Sequence, residues 1–526
     1  MRENGLSVWG LMWVPLYLAL IFVISGIARR RGKDTANDFL NASRSMPTWA
    51  ASLSFLAYNC GSIEVIGISA MAAQYGIQAF HFYWIGGIPG MVFMGIVVVP
   101  IYMRAGARSL PEFLEIRYGP RLRLLNAGLS LFAMAAMAGG AIFAIAHVLH
   151  AILGAQVLTG SVIAAAVVLV YVLLGGIRAT IHTSVFQLVV MVAGLLPLFL
   201  ETFPFRAGSF AVRTERWHLW RDLPAFSPHS TLDRIGIIFG LGVVISFSYW
   251  CTDFVIVQRA LTAQTVESAR KVPIIAGFGK LLIAFLIVLP GTAYPLYSSP
   301  TGTRDFNEAI PRLMATVYGP TLLGLGVAAL LASLMAGVAG NVSGFSAAWT
   351  EEIYRTRLRP GRTEQHYIAV GRWAVVVCFL MAEVAAWIAA QFKDLMEFLQ
   401  MMVSLFYAPL FVIVLCAFLR RRPTEGRACT AILAGVAVSA ALQGFARLGF
   451  IPFGSQMTAN FYIASLAFAA TALTCIPGRA NRPAARAEAA ASTQSVQLAS
   501  LRPSWSLAVL SGLLLLACLV ANIVWW

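Results

Sequence analysis

The sequence has little charge, since only 11% of its 526 residues are Asp, Glu, Lys or Arg and 59% are hydrophobic. It also lacks common catalytic motifs: no GxxxxGK[ST] phosphate loop, HExxH zinc motif or GxSxG nucleophile motif occurs. No stretch between the hydrophobic runs is long enough for a soluble domain of useful size. These absences argue against an attached kinase, hydrolase or nucleotide-binding cassette and against an intramembrane enzyme, so we expect no enzymatic activity.

Cysteine is also scarce. The seven cysteines are an odd number, lie in or beside apolar runs, and show neither paired nor metal-ligand spacing. They are expected to behave as small apolar residues. The sequence therefore predicts no disulfide framework, no cofactor and no metal site built from cysteines.

Long hydrophobic runs dominate the chain. Each is about 20 residues long, enough to cross about 30 Å of hydrocarbon as a helix. The first run, Trp9 to Ala28, is too long for a signal peptide and precedes its basic cluster, so we expect a retained span. We predict an all-α, multi-pass protein in contact with membrane lipid. Its fourteen spans are expected near 8–28, 48–70, 81–103, 124–150, 156–175, 180–201, 233–254, 272–297, 317–347, 368–390, 397–419, 428–446, 459–476 and 505–526.

The net charge of +16 does not indicate a nucleic-acid partner, because the basic residues are sorted by side of the membrane. With the amino terminus outside, most Lys and Arg residues fall in predicted cytoplasmic loops, as the positive-inside rule requires. The clusters RRRGK, RLR, ESARK, RTRLRPGR and LRRRP all lie on that side. We expect an integral protein of the inner or plasma membrane with its amino terminus outside and no nucleic-acid partner.

Polar residues interrupt two of the predicted spans near mid-membrane. The second span contains Asn59, Gly61, Ser62 and Glu64, and the seventh is interrupted over 246–253, SFSYWCTD. Such residues weaken a helix and free backbone carbonyls, which is tolerated beside a protein-lined cavity. Two broken spans in corresponding positions are typical of inverted-repeat transporters with the binding site at the breaks. Tight helix packing through small residues is the alternative.

Several segments follow one another in the order and spacing of a known family. They are SLPEFLEIRYG (109–119), GGIRATIHTSVFQ (175–187), YWCTDFVIVQR (249–259), GFGKLLIAF (277–285), ASLMAGVAGNVSGFSAAWTEEIY (332–354) and QMMVSLFYAP (400–409). Together they resemble the solute:sodium symporters, which include the sodium/glucose and sodium/proline cotransporters. The resemblance implies a leucine-transporter-type fold with two inverted five-helix repeats.

The resemblance also implies how the chain is divided. The expected parts are 1–45 (first helix and basic cytoplasmic loop), 46–423 (ten-helix transport core, with repeats at about 46–201 and 233–423) and 424–526 (three accessory helices, with a flexible linker at 478–504). The external segment 202–232, which contains Trp217 and Trp220, is expected to cap the outer mouth.

The family's sugar carriers supply a set of expected substrate contacts. These correspond here to Glu64, Tyr83, Ser246, Lys280 and Gln400, with Tyr249 as the inner gate and Trp250 beside it as an aromatic wall. Glu64 replaces a His or Gln and Tyr83 replaces a Glu, so a hexose is not the expected solute. A zwitterion could engage Glu64 and Lys280 together. A permanent ion pair between these two residues, and a protonated Glu64 that couples transport to protons, are the alternatives.

The family's sodium site departs further from the pattern. Its carbonyl ligands correspond to Ala57 and Cys60, and its two hydroxyl ligands correspond to Ala336 and Gly337, which have no side-chain oxygen. The usual aspartate beside that site is Ser184, and Ser333 lies one turn before Ala336 as a partial ligand. A hard cation would need water to complete its shell. Sodium coupling is therefore expected to be reduced or absent, with protons or facilitated movement in its place.

Together these features predict a secondary transporter, a symporter by family, for a small polar organic solute. Asp253 and Arg259 are expected to shape the inner barrier rather than to touch the solute. Sodium or protons are the expected coupling ions, and no other metal is expected. The alternative is a transporter-fold sensor or scaffold that no longer transports. The sequence predicts neither the identity of the solute nor the oligomeric state.

Overall fold

The computed structural model describes residues 7–30, 46–154, 156–202, 214–226, 229, 232–297, 305–392, 394–419, 422–475 and 502–526. Helices account for nearly all of this part of the chain, and its β pairing is limited to one isolated bridge, Met46 to Ala263. The α-helices are Val8–Leu11, Trp13–Arg30, Thr48–Asn59, Val65–Tyr75, His81–Trp84, Ile88–Phe93, Val99–Arg104, Leu110–Arg117, Pro120–Leu153, Val157–Thr202, Ser246–Thr252, Phe254–Leu261, Val266–Tyr297, Ala309–Val317, Pro320–Ala347, Glu364–Ala389, Leu395–Met402, Ala408–Phe418, Glu425–Arg447, Gln456–Cys475 and Trp505–Val524.

Several helices are interrupted by wider or tighter turns. The π-helical segments are Cys60–Glu64, Met94–Val98, Gly236–Ile245, Ala348–Leu358 and Val403–Tyr407, and the 3₁₀ segments are Gly76–Phe80, Thr214–Trp217 and Phe306–Glu308. Single π turns inside α-helices are frequent at functional sites. Two of these segments, at 60–64 and 236–245, lie in or next to the polar interruptions predicted from the sequence.

Ten of the described helices are long and apolar enough to cross a membrane, or eleven if the bent pair Gly236–Thr252 and Phe254–Leu261 is one span. The segments Trp13–Ile27 and Thr159–Val170 are shorter apolar helices. One helix, Val157–Thr202, covers two of the predicted spans. The residues expected to form a loop between 175 and 180 continue that helix, because a short polar patch without proline does not by itself end one.

The helix Pro320–Ala347 is buried along almost its whole length and forms the centre of the bundle. Small residues allow its neighbours to come close, as at Gly340, where an added Cβ would lie 2.3 Å from the Tyr58 ring. At the periphery, Trp373, Leu380 and Trp387 on Glu364–Ala389 are 66–72% exposed. Such an outer surface suits lipid rather than water.

Segment 202–232, which is predicted to be external, packs on the bundle within the part that the structure describes. Arg216 Nη2 donates to the carbonyls of Ala72 and Ala73, at 3.0 and 2.8 Å, at the end of Val65–Tyr75. Trp220 Nε1 donates to Asn522 Oδ1 at 3.2 Å. Residues 31–45, 203–213 and 476–501, which include most of the predicted basic loop and linker, lie outside the described residues.

Candidate functional site

The two helix breaks border one cavity between the bundle helices. All seven predicted substrate residues line it, together with apolar residues and Asn59. The full lining is Asn59, Glu64, Ile68, Phe82, Tyr83, Gly86, Leu241, Ile245, Ser246, Tyr249, Trp250, Lys280, Met396, Leu399, Gln400 and Val403. A mostly apolar wall with a few converging polar groups is the usual form of a small-molecule site.

Lys280 provides the positive charge of the cavity. It projects from Val266–Tyr297, is 3% exposed, and its Nζ donates to Glu64 Oε2 at 2.6 Å. The same ammonium also donates to Asn59 Oδ1. It lies 5.0 Å from the centre of the Tyr83 ring and 5.2 Å from that of the Trp250 ring. Carboxylate, amide and aromatic faces together compensate for burying this charge.

Four polar atoms of the cavity have no hydrogen-bond partner within the described part of the chain. They are Glu64 Oε1, the Tyr83 hydroxyl, Ser246 Oγ and Gln400 Oε1, and each is shielded from solvent. The Tyr83 hydroxyl faces the Glu64 carboxylate without meeting hydrogen-bond geometry. Buried polar groups are normally paired, so a cluster of unpaired ones indicates a place where a polar ligand completes the bonding.

Two tyrosines in contact lie at and beside the cavity wall, and sequence reasoning found only Tyr249 of them. The Tyr249 hydroxyl accepts from Asn59 Nδ2 at 3.3 Å, and its ring meets Tyr407 edge-on at 5.9 Å between centroids. Tyr407 in turn donates to Asp253 Oδ2 at 2.8 Å. Asn59 and Tyr407 were not among the predicted site residues, although both lie in segments singled out as a break or a family motif.

Asp253 and Arg259 lie outside the cavity lining. Asp253 caps Phe254–Leu261 by accepting from the Ile256 N–H at 2.8 Å, at the 56° bend of the broken span. Arg259 donates to the Ser54 carbonyl at 3.0 Å and lies over the Tyr58 ring at 5.1 Å. Both residues therefore hold the second half of the broken span in place, and their role in an inner barrier stays a prediction.

The predicted ion-site residues also come together, but they contact one another. Ser333 Oγ donates to the Cys60 carbonyl at 3.3 Å, and the Ala57 carbonyl accepts from the Cys60 N–H. Between them Gly61 packs so closely that an added Cβ would lie 2.2 Å from the Ser333 carbonyl oxygen and 2.9 Å from the Ala336 Cβ. Ala336 and Gly337 thus face the π turn with no side-chain oxygen.

Ser184 does not direct its hydroxyl at the ion-site residues. Its Oγ donates to the Thr180 carbonyl of its own helix at 2.6 Å. A serine that bonds to the preceding turn in this way satisfies the backbone locally. The position where the family has an aspartate therefore supplies a local hydrogen bond.

Comparison with known proteins agrees with the order of the motifs. The sequence model of the sodium:solute symporter family matches residues 39–435. The sodium/glucose cotransporter of Vibrio parahaemolyticus is 26% identical over 507 residues, covering 90% of this chain and 91% of that relative. Sodium/glucose cotransporter 1 of sheep (Ovis aries) is 29% identical over 468 residues, covering 79% of this chain and 68% of that protein.

A solved structure matches the fold. A Na⁺-coupled sialic acid symporter in a substrate-bound outward-open state superposes with a TM-score of 0.74 at 17% identity, covering 89% of this chain and 97% of that one. The expected leucine-transporter-type arrangement of an all-α membrane protein is confirmed. Because the family model spans most of the 526 residues, the chain belongs to the sodium:solute symporter family and is a multi-pass membrane protein of the secondary-transporter class.

Proposed function

We propose that the cavity around Lys280 and Glu64 carries a small polar organic solute of zwitterionic type across the inner or plasma membrane. The observation that carries the proposal is the group of four buried, unpaired polar atoms beside an ion pair. The ion pair makes the charge of the cavity close to zero. A solute with one charge of each sign can pair with both Lys280 and Glu64, so that no net charge is buried when it binds.

The chemistry of the unpaired atoms also favours such a solute. Glu64 Oε1 and Gln400 Oε1 are acceptors, and they suit an ammonium group. Ser246 Oγ and the Tyr83 hydroxyl can donate and, with Lys280, suit a carboxylate. A hexose offers hydroxyl groups to both halves but cannot compensate either charge. Glu64 therefore sets the solute class in this proposal.

The space near Ser246 is maintained by a glycine. An added Cβ at Gly90 would lie 2.7 Å from both Ser246 Oγ and the Trp250 ring. Glycine is used where another group must approach the backbone closely. Gly90 therefore lets Ser246 and Trp250 keep their positions in the wall of the cavity.

The experiment is uptake of radiolabelled solutes into proteoliposomes, with a panel of amino acids, betaines and hexoses. We expect uptake of a zwitterion. Lys280→Met should reduce this uptake at least tenfold, because the carboxylate of the solute then lacks a counter-charge. Lys271→Met is the matched control, since this lysine lies on the same helix, is 30% exposed and pairs only at the surface with Glu267. Uptake of hexose alone, or equal loss in both variants, would contradict the proposal.

Sodium coupling through the family position is proposed to be weak. Three observations support this. Ala336 and Gly337 have no side-chain hydroxyl, and Gly61 packs directly against Ala336. Ser184 uses its hydroxyl in a hydrogen bond to its own helix. Imposed sodium and pH gradients distinguish sodium, proton and facilitated modes in the same proteoliposomes. Saturable sodium stimulation that is lost in Ser333→Ala and kept in Ser346→Ala would overturn this part. Ser346 lies on the same helix but bonds to Gly371.

A sensor or scaffold without transport is the second candidate, and the same ion-site changes favour it. It predicts solute binding to the purified protein without uptake under any gradient.

The proposed orientation, with the amino terminus outside, is tested separately by the accessibility of an epitope placed before Trp9 in intact cells.

A further inference from the structure

Away from the central cavity, an imidazole and two carboxylates converge at the ends of two helical segments. His147 lies in the last turns of Pro120–Leu153. Asp305 and Glu308 belong to the short turn that leads into Ala309–Val317. Asp305 Oδ2 lies 3.6 Å and Glu308 Oε1 4.0 Å from His147 Nδ1. One donor atom from each residue lies within 4.8 Å of the other two.

The imidazole nitrogen at the centre of this cluster has no hydrogen bond within the described residues. His147 is only 9% exposed, and its Nδ1 is shielded from solvent. Its distances to the two carboxylates are too long for hydrogen bonds. Two ligands that are each about 2.0–2.2 Å from a metal ion lie about 3–4 Å apart. The cluster therefore has nearly the spacing of ligands around an ion and needs only a small contraction.

Each carboxylate is held by one oxygen and presents the other to His147. Asp305 Oδ1 accepts from the Asn307 N–H at 2.9 Å, which leaves Oδ2 facing the imidazole. Glu308 Oε2 accepts from Arg312 Nε, which leaves Oε1 facing it. In metal sites, the residues that coordinate the ion are typically held in orientation by hydrogen bonds to neighbouring groups. The N-cap role of Asp305 and the ion pair of Glu308 with Arg312 thus leave one oxygen of each carboxylate available to an ion.

We propose that His147, Asp305 and Glu308 bind a divalent transition-metal ion, for which Zn²⁺ is the probe. An imidazole with two carboxylates suits Zn²⁺, and affinity among first-row divalent ions favours the later members of the series. Three protein ligands leave a position for water or for a further donor. This site is separate from the solute cavity and does not depend on the proposed function.

The position of the site gives the ion a mechanical role. It would join the end of Pro120–Leu153 to the turn before Ala309–Val317. Within that turn, Asn307 Oδ1 accepts from the Leu395 N–H at 3.1 Å, at the start of Leu395–Met402. The helix Leu395–Met402 also carries Gln400, which lines the solute cavity. A bound ion would therefore brace three elements of the transport core against one another.

The test measures Zn²⁺ binding to the full chain in detergent, by competition with a chromophoric chelator. We expect one equivalent of Zn²⁺, with binding weakened at least tenfold by His147→Asn, Asp305→Asn or Glu308→Gln. His366→Asn is the matched control, because it removes a histidine that pairs with Tyr354 and is not part of the cluster, and it should change the affinity less than twofold. Asp305→Asn is the least disruptive of the three changes, since this side chain is 40% exposed.

A second measurement separates bracing from simple binding. Zn²⁺ should slow amide hydrogen exchange in peptides spanning 305–318 in the wild type and in His366→Asn, and should not do so in Asp305→Asn. Absence of stoichiometric binding would overturn the proposal. The same holds if the variant with all three ligands replaced binds Zn²⁺ as tightly as the wild type.

Discussion

At the scale of single residues, the Lys280–Glu64 pair is the feature that we propose selects the solute. Both residues place a charge inside an apolar span, which is rare and costly. The sequence left a fixed pair, a shared zwitterion and a protonated Glu64 as alternatives. The structure shows the pair at 2.6 Å and leaves Glu64 Oε1 unpaired, a combination that allows both a resting ion pair and a ligand contact.

Glu64→Gln should destabilise the protein by about 3–5 kcal/mol, because it leaves the buried Lys280 ammonium without its counter-charge. Adding Lys280→Met should recover most of this loss, since the remaining groups are neutral. Thermal unfolding of the purified protein in detergent measures both effects. The control is Glu267→Gln at an exposed pair, with an expected change of about 1 kcal/mol or less. An unfolding temperature of Glu64→Gln equal to that of the wild type would contradict this account.

At the scale of elements, the break at 60–64 is held by contact with the helix Pro320–Ala347. The sequence located this break from its polar and small residues, and the structure places a π turn there. The family resemblance placed Cys60, Ser333 and Ala336 in one ion site, but it did not show how closely Gly61 packs against that helix, because this contact joins residues far apart in the chain. Tyr407 was missed as a site residue for the same reason, since its partner Asp253 belongs to the other broken span.

Gly61→Ala should disrupt the break and abolish transport, because the new Cβ would lie 2.2 Å from a backbone oxygen that cannot move alone. Gly128→Ala is the matched control: it lies within a helix, nothing is within 4 Å of its added Cβ, and it should stabilise by about 0.5–1 kcal/mol. Thermal unfolding and uptake measure both variants. Normal activity of Gly61→Ala would mean that the two segments separate more easily than their contact indicates.

At the scale of the whole molecule, the order of the family motifs predicted the fold, and the comparison with a solved symporter confirms it. The motifs 109–119 and 332–354 also meet in space, where Ser109 Oγ donates to Glu352 Oε1 at 2.6 Å and Arg123 donates to the other oxygen at 2.7 Å.

Sequence reasoning did not find the cluster of His147, Asp305 and Glu308. Each of these residues lies in an ordinary local context, and only the packing of distant helices brings them together.

We propose that the contacts of Arg259 with Ser54 and Tyr58 belong to the inner barrier between the cavity and the predicted cytoplasmic side. Alternating access requires these contacts to break, so Arg259→Gln should favour the inward-open state. A hydrogen bond to a charged group contributes about 1.5–3 kcal/mol, which corresponds to roughly tenfold or more in the population of that state. We expect labelling of the buried Cys60 by a thiol reagent, followed by peptide mass spectrometry, to accelerate accordingly. Arg108→Gln, at an exposed arginine, should leave the rate unchanged. Equal rates in Arg259→Gln and the wild type would show that the inner barrier is held by other contacts, such as those of Tyr249 and Tyr407.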